Sequence, residues 1–154
     1  QCRRQLLAYR DGPGDALRPE QERWLQTELK AARDQKAQQI VIFAHHPWFL
    51  KKAKEADEYF NIPGDRRARY LGWFHDAGAK YLISGHYHQD LVASDAGFES
   101  IATGPVGKPL GKGKSGLRIV IVRDSGIEHR FYHFGELPNT VDLTTAKPKR
   151  RAAS

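Results

Sequence analysis

The chain has 154 residues, of which 40% are hydrophobic and 28% are charged, and its formal net charge is +7. These proportions are typical of a globular protein with one core, and the length is too short for two ordinary domains. No apolar run approaches the ~18 residues of a membrane-spanning helix, and the single cysteine, Cys2, excludes an internal disulfide, so we expect no membrane association and a cytoplasmic location.

The positive charge is concentrated at the C-terminal end. Four of the seven net charges come from Lys147, Lys149, Arg150 and Arg151. Nucleic-acid-binding surfaces interleave aromatic residues with lysine and arginine on one face, whereas the aromatic residues of this chain fall mostly on apolar stripes. We interpret residues 138–154 as a basic, disordered tail and do not expect nucleic acid as a partner. A basic nucleic-acid-binding module is the alternative from a different class of protein.

The first predicted elements are a helix and a buried strand. Residues 19–37 predict a helix because Leu25, Leu29 and Ala32 recur at helical spacing and form one apolar face. Residues 40–44 are five consecutive apolar residues, a pattern typical of a strand that is buried on both faces.

A second helix and strand follow a long loop over residues 45–64. Asp65 is the predicted N-cap of this helix, and Gly78 lies where a left-handed C-cap belongs. The apolar stripe between them consists of Tyr70, Leu71 and Phe74. Residues 81–84 then predict another buried strand. Strand, helix and strand make a right-handed βαβ unit with two parallel strands.

The pattern changes after His88. Short strands are predicted near residues 91–94, 100–103, 117–123 and 127–134, separated by turns rich in Gly or Asp. The dipeptide Ser125-Gly126 predicts a hairpin between the last two strands. We expect this half to be antiparallel and to form a second sheet packed on the first.

Histidines follow both predicted buried strands, at His45 and His46 and again at His86 and His88. Parallel strands place their carboxyl ends at the same edge of a sheet, where ligands of open α/β proteins bind. His86 and His88 project from the same face of an extended backbone, with Cα atoms about 6.5 Å apart. The sequence therefore predicts a metal site formed by His45, His86 and His88. The other histidines are interpreted as structural or solvent-exposed, namely His75, His129 and His133.

Residues 42–47 end in His-His-Pro, and residues 85–88 read Gly-His-Tyr-His. In this order the two stretches resemble the last two of the five metal-binding blocks of the calcineurin-like metallophosphoesterase family. The likeness runs from about residue 20 to 137, and it is greatest for the serine/threonine protein phosphatase branch of that family, at residues 21–25, 57–63, 84–88 and 116–118. It implies an α/β fold, with residues 1–137 as the C-terminal part of a four-layer α/β/β/α sandwich.

The resemblance also implies an activity and its cofactors. The protein would be a phosphoric monoester hydrolase with two divalent metal ions, Mn, Fe or Zn, of which one is bound by His45 and His86 and the other by His88. Its substrate would be a phosphorylated molecule, with phosphoproteins as the leading class, and the full-length protein would be a monomer. In the family the two ions bind the phosphate ester and activate a water molecule for attack on phosphorus.

The earlier blocks of the family are missing from this sequence. Residues 1–44 contain no Asp-x-His and no Gly-Asn-His, and the chain has no methionine. We therefore expect that an N-terminal part is absent and that the catalytic groups lie upstream. The isolated chain is predicted to be inactive and to bind metal weakly.

Three alternatives stay open from the residues alone. A mononuclear zinc hydrolase would use His45, His86 and His88 around one ion with an open fourth position. Residues 104–116 resemble a phosphate-binding loop, but the eight-residue motif would begin at Lys108, where glycine is required, and it lies between predicted strands. We interpret this segment either as a surface loop or as an active-site rim with lysines near the phosphate. Residues 59–61 either contact the substrate or pack beneath the long loop.

Overall fold

The computed structural model of the protein describes residues 18–141. The elements in that range are α1 (Arg18–Asp34), β1 (Val41–Ala44), α2 (Gly64–Ala77), β2 (Tyr81–Ser84), β3 (Leu91–Asp95), β4 (Phe98–Ala102), β5 (Gly116–Arg123) and β6 (Gly126–His133). They form a mixed sheet in the order β1-β2-β4-β3 and a two-stranded sheet of β5 and β6. The predicted tail has no helix or strand over 138–141, and its remainder lies outside the described residues.

Both helices form where the sequence predicts them, and both end in the same way. The N–H groups of Lys36 and Ala37 bond back to the carbonyls of Arg33 and Ala32 at the end of α1, and Lys36 takes the left-handed conformation with φ 53°. At the end of α2, Gly78 has φ 84° and confirms the predicted C-cap. Neither of the helices in residues 18–141 combines the length and the apolar character needed to cross a membrane.

The order and direction of the predicted βαβ unit are confirmed, but β1 is not buried on both faces as predicted, because it is an edge strand and its Phe43 is 50% exposed. Strands β1 and β2 are parallel, and their register runs from Val41 opposite Tyr81 to Ala44 opposite Ser84. The two helices cover the sheet with their apolar faces, and the buried core contains Leu25 and Leu29 of α1, Leu71 and Phe74 of α2, and Ile42 and Leu82 of the sheet. Burial of this kind stabilises the fold by roughly 25 cal/mol per Å² of apolar surface.

The predicted N-cap of α2 is wrong by two residues. The N-cap is Pro63, which has no side chain that could bond to the helix, and Asp65 lies inside the first turn. The carboxylate of Asp57 accepts the N–H of Gly64 at 2.7 Å and so satisfies one of the free donors from outside the helix. Asp65 then contributes only its negative charge to the positive end of the helix dipole.

The second half of the chain differs from the prediction in its sheet membership. Strands β3 and β4 are antiparallel to each other as expected, but β4 pairs in parallel with β2 and extends the first sheet. Only β5 and β6 form the separate antiparallel sheet, joined at the predicted turn. Strand β4 is largely buried although Glu99 and Ser100 interrupt its apolar pattern, and this interruption hid its place in the sheet.

A compact loop connects β1 to α2. Its ends meet through the hydrogen bond from Ile62 N–H to the carbonyl of Pro47 at 2.9 Å, so residues 47–62 form an Ω-loop. The carboxylate of Glu55 lies inside the loop and accepts hydrogen bonds from the backbone of Leu50, Lys51 and Lys52 and from the Asn61 amide. Burial alone would raise the pKa of Glu55, but these hydrogen bonds together lower it below its usual value.

Arg67 fastens this loop to α2. Its guanidinium is 1% exposed and donates hydrogen bonds to the carbonyls of Ala53 at 2.8 Å, Ile62 at 3.0 Å and Glu55. A planar guanidinium with several fixed donors suits such a set of carbonyls better than any other side chain. The loop is therefore held by hydrogen bonds to the Glu55 carboxylate in its interior and by hydrogen bonds from Arg67 of α2.

Replacement of Arg67 by methionine is expected to lower the free energy of unfolding by about 3 kcal/mol or more, because buried carbonyls lose their donors. Urea unfolding of the chain measures this. The matched control is Arg69→Met, since Arg69 makes an exposed ion pair with Glu22 that is worth less than about 1 kcal/mol. Equal losses in the two variants would contradict the role of Arg67.

Candidate metal centre

The carboxyl ends of β1 and β2 meet at one edge of the sheet. Ala44 and Ser84 are the last paired residues, and the next step is the hydrogen bond from Gly85 N–H to the carbonyl of His45 at 3.0 Å. The register therefore places His45 opposite Gly85, and His86 follows one residue further along the neighbouring strand end. Their nearness follows from strand direction and register, as the sequence predicts.

Three imidazoles lie together at this edge. One ring nitrogen from each of His45, His46 and His86 lies within 4.8 Å of the others. Nδ1 of His86 lies 3.2 Å from Nε2 of His45, and the rings of His46 and His86 are 3.9 Å apart between centroids. The group is solvent-accessible, because His45 is exposed and the other two are half-buried.

The separation between His45 and His86 suits a shared metal ion. Two zinc–nitrogen bonds of about 2.0–2.1 Å at a tetrahedral angle place their nitrogens about 3.4 Å apart. The observed 3.2 Å between Nδ1 of His86 and Nε2 of His45 is close to that value. Imidazole is also a common ligand for zinc, iron and other transition metals. The donor set and its spacing therefore fit a divalent metal.

The backbone around the second histidine pair is unusual. His86 and His88 have φ values of 58° and 55°, in the left-handed region that non-glycine residues rarely adopt. A tight turn brings Tyr87 N–H to 2.6 Å from the carbonyl of Gly85. Such conformations cost about 1–3 kcal/mol each and concentrate at functional sites. The left-handed backbone at these two residues also explains why His86 and His88 do not project side by side as in an extended strand.

His88 lies next to this group and is not a member of it. Its Nδ1 donates a hydrogen bond to the carbonyl of Lys108 at 2.8 Å. Metal-binding histidines usually make this type of bond with one ring nitrogen, and the other nitrogen is left as the ligand atom. His88 is thus prepared to bind a metal through Nε2, and its assignment to a second ion stays a prediction.

His46 belongs to the group although the sequence analysis did not assign it a role. The prediction followed the resemblance, whose fourth block assigns a single histidine, and therefore named His45 alone. Strand β1 ends at Ala44, so the alternation of side chains along a strand does not separate His45 from His46. The His-His pair itself was the signal that could have pointed to His46.

The pKa of His86 lies below its ordinary value. Burial is the main cause of this lowering, and the charges of His45 and His88 lower the pKa further. A hydrogen bond with the backbone of Tyr59 acts in the opposite direction and raises the pKa. A lowered pKa keeps the imidazole neutral at physiological pH, and the neutral ring is the form that binds metal.

The loop over residues 104–115 forms one rim of the site. Lys108 accepts the hydrogen bond from His88, and Leu110 N–H bonds to the carbonyl of His88 at 3.3 Å. The loop lies between β4 and β5 and leads into a strand, so the rejection of a phosphate-binding loop is confirmed. Its lysines, Lys108, Lys112 and Lys114, are exposed.

The remaining histidines lie elsewhere. His129 donates from Nε2 to Glu99 at 2.6 Å and accepts from Arg118 at its Nδ1, 2.5 Å away. This network joins the two sheets. The side chain of His75 is 75% exposed at the end of α2, and His133 packs edge-on against Phe131. These contacts agree with the structural or solvent-exposed roles expected for all three.

Several curated proteins are similar to this chain. Serine/threonine-protein phosphatase CPPED1 of Rattus norvegicus is 36% identical over 122 residues, which cover 79% of this chain and 39% of that protein. The protein of the same name from Homo sapiens is 34% identical over 123 residues, with 79% and 39% covered. The Danio rerio protein is 33% identical over 116 residues, with 75% and 38% covered.

No protein-family model matches the chain, and no solved structure matches it. The similarity to the CPPED1 proteins covers both histidine clusters and the Ω-loop, and it agrees with the motifs and with the βαβ unit that carries them. The chain belongs to the calcineurin-like phosphoesterase family. Within that family it is similar to the serine/threonine-protein phosphatases named CPPED1, and it spans about two fifths of their length.

We expect His45→Ala and His86→Ala each to weaken zinc binding by the chain at least about tenfold, since loss of even an outer-shell partner of a metal ligand costs that much. Isothermal titration at neutral pH provides the measurement. His75→Ala serves as the control because its side chain is exposed on α2. Unchanged affinity in both site variants would rule out a metal centre at this edge.

Proposed function

We propose that this chain contributes part of the active site of a metal-dependent phosphoric monoester hydrolase that acts on phosphoserine or phosphothreonine in proteins. The observation that carries the proposal is the convergence of His45 and His86 at the carboxyl ends of two parallel strands. The similarity to the CPPED1 phosphatases supports the substrate class.

His45 and His86 would hold one divalent ion, and His88 would hold a second. When bound, two such ions neutralise phosphate charge and lower the pKa of water. The hydrogen bond from His88 to Lys108 fixes the His88 tautomer, and the rigid turn at Gly85 fixes the direction of His86. With these directions fixed, His45, His86 and His88 would hold the two ions in place.

The reaction needs groups that the histidine site does not provide. Hydrolysis forms a bond from water oxygen to phosphorus, breaks the bond to the leaving alcohol oxygen and delivers a proton to that oxygen. Within residues 18–141 the three-residue group consists of imidazoles and includes no carboxylate. We propose that the carboxylate ligands and the proton donor come from another part of the full-length protein. That part corresponds to the portion of the relatives that this chain does not cover.

The outer edge of β1 offers a place for that portion. Strand β1 is one edge strand of the four-stranded sheet in the described residues, and its own Phe43 is 50% exposed. A parallel strand added there would end at the same rim as His45. Unpaired strand edges are usually covered in folded proteins, so this edge is where we place the join.

A mononuclear zinc hydrolase is the second candidate. It is favoured by the grouping of His45, His46 and His86, which supplies three nitrogens around one position as in catalytic zinc sites with an open fourth position. One tightly held zinc per chain, lost in His46→Ala, would support it. Two divalent ions in the full-length protein would support the dinuclear site.

The direct test measures phosphate release from a phosphoserine peptide by the full-length protein that carries this chain, with manganese present. His86→Ala is expected to lower kcat/KM at least about 100-fold, in line with the loss of one charge-stabilising group. His75→Ala should leave it unchanged. The 154-residue chain alone is expected to show only background release.

Two results would contradict the proposal in different ways. Hydrolysis by the full-length protein that survives His86→Ala would remove the histidine site from the mechanism. Full activity in the 154-residue chain would show that this chain needs no further ligands, and the mononuclear site would then be preferred.

A further inference from the structure

The Ω-loop over residues 47–62 carries two aromatic residues to the metal centre. The ring of Tyr59 lies 5.2 Å from the ring of His86, and the ring of Phe60 lies 5.8 Å from it. Phe60 also packs edge-on against Tyr87 at 5.3 Å and against Tyr59 at 5.1 Å. Tyr59, Phe60 and Tyr87 therefore form one aromatic wall along the His86 side of the site.

The tip of this loop is fixed in position. Asn61, next to Phe60, is 5% exposed, and its amide donates to Glu55 at 2.8 Å and to the carbonyl of Ala56 at 2.9 Å. Its Oδ1 accepts the N–H of Glu58 at 2.9 Å, which closes the turn that presents Tyr59. With Arg67 bonded to the loop carbonyls, the wall is part of a rigid support.

Tyr59 remains open to solvent within this rigid loop. It is 79% exposed, although it contacts both Phe60 and His86. A large aromatic side chain that packs for stability is normally well buried. The exposed face of Tyr59 is thus free to contact a molecule bound at the adjoining histidines.

We propose that Tyr59, supported by Phe60, determines substrate preference by packing against a planar or apolar group next to the phosphate of the bound ester. This inference rests on the proposed phosphatase function. An ester whose phosphate lies at His45 and His86 must carry its organic part away from the sheet edge, and the aromatic wall borders one side of that exit. In a phosphoprotein the matching feature is an apolar or aromatic residue beside the phosphorylated one, since adjacent Cα atoms are about 3.8 Å apart.

The test compares two non-hydrolysable ligands of the zinc-loaded full-length protein that carries this chain, phenylphosphonate and methylphosphonate, by isothermal titration. Aromatic contacts of this kind favour phenylphosphonate by about two- to tenfold in Kd. In Tyr59→Ala this preference should disappear, while the Kd for methylphosphonate stays within about twofold. Tyr59→Phe should retain the preference because the ring is kept.

The control variant is Phe134→Ala, which removes a half-exposed aromatic ring that follows β6 and should retain the preference. If both phosphonates bind and Tyr59→Ala keeps the wild-type ratio, the aromatic proposal is overturned and the phosphate site stands. If neither phosphonate binds the zinc-loaded full-length protein, the phosphate site itself is absent and both proposals are overturned.

Discussion

The parallel pairing of β1 with β2 is the interaction on which the site depends. It aligns Ala44 with Ser84 and continues into the hydrogen bond between Gly85 and His45. A shift of the register by one residue would turn the side chains of one strand to the opposite face, and His45 would no longer meet His86. Helices α1 and α2 support this pairing, because their apolar residues pack in one core with those of the same sheet.

A second constraint lies in the polar interior of the Ω-loop. Loops usually vary and move because their backbone groups are satisfied by water. Here the backbone groups bond to the Glu55 carboxylate and the Arg67 guanidinium. The loop also attaches to the sheet, since Ser100 donates to the carbonyl of Phe49 at 2.7 Å. The metal centre and its aromatic wall thus share one rigid support, which is a requirement for precise placement of a ligand.

Local periodicity in the sequence predicted the two helices and the parallel strands β1 and β2. The stripe at Leu25 and Leu29 located α1, and strand direction predicted that His45 and His86 converge. The position of β4 could not be predicted because Glu99 and Ser100 are polar, and their partners, His129 and Phe49, lie far away in the sequence. Likewise the cap of α2 comes from Asp57 across a loop, and His46 joins the site only because β1 ends one residue before His45.

Zinc X-ray absorption spectroscopy on the chain, loaded with less than one equivalent of metal, tests the convergence of the two strand ends most directly. The account predicts scattering from at least two imidazoles, with one imidazole lost in His45→Ala and one lost in His86→Ala. A spectrum that shows a single imidazole, or that is the same in wild type and both variants, would mean that the two strand ends do not share a metal.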